Sequence, residues 1–177
     1  MDDILLVPMT AEFAKCNLAG TKPPGDRWAP DYPLADEADA IRYFLSRGDR
    51  PGTPDFGVFG LYVVRDLPDR AAIGGIGFFG PPDDSGIVEL GFGIVPSMRR
   101  RGMATSALRR ALAIARDNGA STVRADTTVD NAASIRVMQK AGMTRTRSAD
   151  GMVYFETDVT GGAALGCRGE DNPPAND

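Results

Sequence analysis

The chain has 177 residues, 42% of them hydrophobic, and 20 lysines and arginines against 24 aspartates and glutamates, a formal net charge of −4. That length suits one domain with a real core, and the mild acidity argues against a nucleic-acid-binding surface. The absence of histidine removes Ser-His-Asp and Cys-His catalysis and histidine-ligated zinc.

The opening stretch MDDILLVPMT carries acids where a secretion signal carries bases. No apolar run approaches a membrane span, so a cytoplasmic protein without membrane partners is expected. Residues 4–8 read as a first strand and Thr10–Leu18 as a helix. GTKPPGDRWAPDYP (20–33) is a Pro/Gly-rich loop, and Glu37–Arg47 a better helix. Residues 55–66 and 71–80 read as a hairpin through LPDR, and after the turn PPDDSG a further strand spans 87–95. A helix then runs to about Asn118, with Leu108, Ala111, Leu112 and Ala115 on one face and Gly119 as its stop. Residues 121–129 form a strand, and a short helix follows with Asn131 as cap and Gly142 as stop. A hairpin through Asp150-Gly151 closes the pattern. Residues 1–160 are expected to form a single domain, and the Gly- and Pro-rich tail 161–177 to be disordered. The two cysteines, Cys16 and Cys167, read as free thiols, Cys16 as a small core residue. A meander followed by strand–helix–strand–helix predicts an α/β (α+β) fold with a mixed sheet flanked by helices.

The stretch VPSMRRRGMATSAL (95–108) places three arginines at a helix start. The unpaired N–H groups there already carry partial positive charge, which disfavours cations. Either Arg99, Arg100 and Arg101 are a solvated cluster, or an anion fills the spot. Gly102 lets a ligand approach the backbone closely, and a diphosphate suits successive N–H groups better than a single carboxylate. GIGFFG (75–80) fits a dinucleotide fingerprint only by letter, because Pro81 and Pro82 follow where that motif needs a helix.

Glu89 stands on the 87–95 strand two residues before Gly91, where alternation alone makes it an outward-facing charge.

Residues 87–143 closely resemble the GNAT superfamily of acyl-CoA-dependent N-acetyltransferases. Arg99, Gly102 and Ala104 fit the family's loop pattern Arg/Gln-x-x-Gly-x-Gly/Ala, between a strand and a helix. Asn131, Ser134 and the following AGM match its second element, and VELGF resembles the branch with ribosomal-protein N-terminal (alanine/serine) acetyltransferases. The resemblance implies a GNAT-like, largely antiparallel central sheet and acetyl-CoA as acyl donor, with no metal. It implies that the Gly91–Val95 backbone bulges and that Phe92, Gly93, Ile94 and Val95 pair with the pantetheine arm. The N–H of Ile94 would polarise the thioester carbonyl. Acetyl transfer needs a neutral amine, since an ammonium has no lone pair, and the resemblance implies Glu89 as the base that takes the proton, the alternative being the outward-facing charge. Arg99, Arg100, Arg101, Gly102, Met103, Ala104 and Thr105 would hold the pyrophosphate, and Asn131 and Ser134 the pantetheine side. It also implies a tyrosine on the last helix as acid, but Met138 stands there; Tyr154, Ser134 or solvent would supply the proton. Trp28 and Tyr32, beside Asp31, Asp36, Glu37 and Asp39, would wall the acceptor site for a cationic amine, unless that loop is merely solvated. The acceptor would be a small-molecule amine, an amino acid or a protein N-terminus. Two other classes stay open: a non-catalytic acyl-CoA-binding module, and RNA binding through the arginines, which the acidic balance disfavours. Oligomeric state is open, a homodimer included.

Overall fold

The structure, a computed structural model, describes residues 3–46 and 56–161. Arg47, the first residue expected of the 55–66 strand, Cys167 and tail residues 162–177 lie outside that range. Eleven elements follow one another: β1 (Ile4–Pro8), α1 (Ala11–Ala19), α2 (Glu37–Ser46), β2 (Leu61–Asp66), β3 (Ala72–Phe78), β4 (Ile87–Ile94), α3 (Met103–Asp117), β5 (Thr122–Thr128), α4 (Ala132–Lys140), β6 (Thr144–Ala149) and β7 (Met152–Asp158). The strands form one sheet in the order β1-β2-β3-β4-β5-β7-β6. Every pairing is antiparallel except β4 with β5. No helix of the described residues is long and apolar enough to cross a membrane.

The hydrophobic pattern explains the layers. β3 is buried along its whole length, as a strand with helices near both faces must be. Ala107, Leu108, Ala111 and Ala115 form the buried stripe of α3, which packs against β1, β3 and β4. On the opposite face, Glu37 at the start of α2 meets Gly75 of β3, and Leu34 meets Gly93 of β4. Cys16 is a free, half-buried thiol on α1. Asp150 and Gly151 both have positive φ, 52° and 77°, the two left-handed positions of a tight hairpin turn.

The expected strand at 55–66 begins only at Leu61, because Gly57 turns left-handed and the amide of Gly60 closes a turn onto its carbonyl. The expected bulge at Gly91–Val95 is absent: β4 pairs with β3 in unbroken register from Phe78↔Leu90 to Gly74↔Ile94. What opens β4 is its other neighbour.

Candidate active site

β4 and β5 pair over three positions only, Ile87↔Thr122 to Glu89↔Arg124. β4 then runs on to Ile94 and β5 to Thr128 without pairing, so the sheet splays. Glu89 accepts from the Phe79 amide and Val95 donates to the Ile73 carbonyl. In an antiparallel pair such bonds recur at every second residue. Gly91, Gly93 and Val95 therefore turn their backbone groups to β3, while Phe92 and Ile94 turn theirs into the gap. Arg99 Nε takes the Ile94 carbonyl at 2.9 Å, leaving the Ile94 N–H and the Phe92 groups without a strand partner. A groove of about 1000 Å³ follows the splay, lined by Gly91–Ile94, by Arg99, Arg100 and Gly102, by the first turn of α3, and by Asn131 and Ser134; Arg101, also expected here, is not part of the lining.

At the end of the groove the chain turns left-handed twice, at Arg100 (φ 64°) and Gly102 (φ 81°). α3 starts from Gly102 with no side-chain cap and no acid in its first turn. The first N–H groups of this helix have no intrahelical partner, and three guanidinium groups precede them. Asp31 fastens the preceding turn: its carboxylate accepts from the Ser97 amide at 2.9 Å and the Ser97 hydroxyl at 2.5 Å, which holds it below the usual carboxylate range.

The start of α4 is closed instead. Asn131 Oδ1 accepts from the Ser134 amide at 3.1 Å, and its Nδ2 donates to Thr127 at 3.0 Å. Asn131 and Ser134 both line the groove.

A second cavity, of about 420 Å³, lies over β5, β7 and β6 and brings Glu89 and Tyr154 together with Arg124, Asp126, Arg147 and Glu156. Glu89 is exposed at the last β4–β5 pair. Arg124 Nε meets Glu156 at 2.7 Å, and the Arg147 guanidinium lies over the Tyr154 ring at 4.1 Å. Asp126 lines both this cavity and the groove.

The chain matches the acetyltransferase (GNAT) domain family over residues 4–144. It belongs to the GNAT acetyltransferase family. The N-acetyltransferase YjdG of Bacillus subtilis (strain 168), itself uncharacterized, is 29% identical over 141 residues, covering 77% of this chain and 80% of that one. The ribosomal-protein-S5-alanine acetyltransferase of Vibrio fischeri has a similar fold, with a TM-score of 0.64 at 10% identity over 91% of this chain and 96% of that one. So does the microcin C7 self-immunity acetyltransferase MccE, solved with acetyl-CoA and AMP, with a TM-score of 0.58 at 12% identity over 89% and 93%.

Within this GNAT frame, several expected residues take other places. Trp28 and Tyr32 do not wall the groove: both are buried and pack on each other edge-to-face and against Phe13. The Trp28 indole donates to Asp26 Oδ2 at 3.1 Å, and the backbone beside it pairs with Ala72 of β3. Met138 is fully buried in the core. Val95 is buried too, its N–H spent on β3, so of Phe92–Val95 only Phe92 and Ile94 present free backbone groups.

Two carboxylates carry more than the sequence indicated. Glu37 stands in the first turn of α2, where an acid suits the helix end, but it turns inward. Its Oε2 accepts from Asn17 Nδ2 at 3.1 Å, and Asn17 also donates to the Tyr32 hydroxyl at 2.9 Å. Its Oε1 is buried without a partner, so tight on Gly75 that a Cβ there would come within 2.2 Å. Burial lifts Glu37 from an ordinary 4.5 to about 7, and burial followed by the neighbouring Glu37 carboxylate pushes the Tyr32 phenol up. Asp126 has one signal in the sequence, the strand alternation that puts it on the same face as Arg124.

Proposed function

We propose that the protein is an acetyl-CoA-dependent N-acetyltransferase that passes the acetyl group directly to a primary amine. The observation that carries this reading is the junction of two unsatisfied features. The free backbone groups of Phe92 and Ile94 lead along the splay to the uncapped start of α3.

Acetyl-CoA would bring a thioester, an acyl group already activated for transfer. Phe92 and Ile94 would pair with the pantetheine arm as with an added strand. The N–H groups of Met103, Ala104 and Thr105, with Arg99, Arg100 and Arg101, would take the diphosphate. Asn131 and Ser134 flank the arm from α4. The Ile94 N–H would donate to the thioester oxygen, where negative charge develops. Glu89, exposed at the point where the strands part, would receive the ammonium proton. Transfer forms the N–C bond as the C–S bond breaks. The electron pair leaves with sulfur, and its proton comes from Tyr154, Ser134 or solvent. The acceptor is a small molecule, an amino acid or a protein N-terminus, and the setting cytoplasmic.

The test pairs calorimetric titration of acetyl-CoA with an assay of thiol release over a panel of primary amines, in wild type and Glu89→Gln. Both proteins should bind in the micromolar range, and the variant should turn over about 100-fold more slowly. No binding at millimolar acetyl-CoA overturns the reading. Binding with no amine-dependent thiol release turns it to a non-catalytic acyl-CoA module.

A further inference from the structure

The charged cavity beside the splay has an order that the groove lacks. Its floor is three strands in register: Asp126 of β5 stands opposite Tyr154 of β7, and Tyr154 opposite Arg147 of β6. Arg147 is there because of an irregularity. The β6–β7 register shifts between Arg145 and Arg147, passing over Thr146. Without the shift Thr146 would face Tyr154, and Arg147 would point to the other side of the sheet. A bulge of this kind re-aims a side chain.

The charges do not cancel within the cavity. Arg124 is taken by Glu156. Among the described residues, the Glu89 and Asp126 side chains have no hydrogen-bond or ion-pair partner, and Arg147 meets no carboxylate. Its guanidinium rests on the Tyr154 ring, which fixes the plane and leaves the N–H edges open. Adjacent strands lie about 4.8 Å apart, so the Asp126 and Arg147 backbones are separated by about 10 Å. Arg147 leans inward over the intervening ring and narrows that gap. Two carboxylates at the mouth toward the groove, and one oriented cation behind them, complement a molecule with a positive end and a negative end a few ångströms apart.

We propose that this cavity seats the acetyl acceptor and that the acceptor is a free amino carboxylate, its ammonium received by Asp126 and Glu89 and its carboxylate by Arg147. The inference rests on the acetyltransferase reading above and names the substrate class of that site. Asp126 belongs to both spaces, so an amine held there stands at the entrance to the splay, and Glu89 is the neighbouring carboxylate that takes its proton. A protein N-terminus offers Arg147 only a neutral peptide carbonyl in that position and forgoes the charge-assisted pair.

The experiment measures kcat and KM for the twenty common amino acids and their α-carboxamides. At least one amino acid should exceed its own amide by about 10-fold in kcat/KM, the scale of one charge-assisted hydrogen-bonded pair. Arg147→Gln, on an exposed edge strand, should raise KM for the acid about 10-fold, leave the amide unchanged and leave the thermal midpoint in place; Arg147→Lys should restore part of the preference. Asp126→Asn should raise KM for acid and amide alike. Amides used as well as acids would overturn the proposal, as would a preference that survives Arg147→Gln. Acetyl-CoA binding without turnover of any amino acid overturns it too and leaves the cofactor reading standing, whereas failure to bind acetyl-CoA removes that reading itself.

Discussion

Helices α3 and α4 begin at the same groove and begin differently. α4 is closed by its own residue, Asn131, whose Oδ1 takes the Ser134 amide. α1 is closed in the same manner by Thr10, which takes the Phe13 amide at 3.1 Å. α3 has Gly102, which has no side chain to offer, no acid in the first turn, and cations in front. A side-chain cap contributes about 1 kcal/mol. The chain makes that contribution at α1 and α4 and forgoes it at α3. Of these three helix starts, α3 is the one without a cap of its own, the splay of β4 from β5 leads to it, and the diphosphate is proposed to sit there.

The strongest way to break this contrast is to close α3 as α4 is closed. Gly102→Glu puts a carboxylate where the diphosphate is proposed to sit, and the affinity for acetyl-CoA should fall at least about 100-fold, or about 2.7 kcal/mol. A residue with a side chain at φ 81° also adds local strain of about 1 kcal/mol, so thermal unfolding is followed in parallel. Calorimetry decides: a folded variant with wild-type affinity would mean that the open end of α3 is not the anion site.

A fourth helix start sharpens the contrast from another side. α2 opens with Glu37 and Asp39, the acids a helix end favours, but Glu37 is drawn inward to Asn17 and proton binding near neutral pH follows. Its folded-state pKa, about 7, lies above the ordinary 4.5. Folding therefore takes up a proton between these values, and stability falls as pH rises from about 4.5 through about 7. Glu37→Gln removes the titration while keeping a carbonyl for Asn17. At pH 8 the variant should be more stable than wild type, by on the order of 2 kcal/mol, and the two should converge near pH 4. Denaturant melts at the two pH values would show it. Parallel curves would mean that folding leaves the Glu37 titration unshifted.

Much of this was legible in the chain and some was not, for separable reasons. Hydrophobic periodicity marked α3 because Leu108, Ala111 and Ala115 must share one buried face. The turn at Asp150-Gly151 was legible because few residue pairs accept two left-handed positions. The loop holding Trp28 looked solvent-facing by composition, yet its backbone pairs with Ala72, more than forty residues onward, and that pairing turns Trp28 inward. The inward swing of Glu37 likewise depends on Asn17, twenty residues earlier. Local pattern carries no record of such partners. The splay belongs to the same class: β4 and β5 are each ordinary strands, and only the end of their pairing after Glu89 and Arg124 exposes Phe92 and Ile94.

The smallest effect tests whether the closed helix start also serves the groove. Asn131 spends its Oδ1 on the Ser134 amide and one Nδ2 proton on Thr127, so one donor remains. Asn131→Ala removes the cap, and a loss of about 1 kcal/mol in unfolding free energy is expected. Asn131→Asp separates the two roles, because aspartate caps a helix as well as asparagine does but donates nothing. Stability should return in Asn131→Asp while affinity for acetyl-CoA stays several-fold low, since a carboxylate now faces the groove without the amide's proton. If affinity returns together with stability, Asn131 acts only through the geometry of α4, and the contact with the pantetheine arm must be sought on the β4 side of the splay.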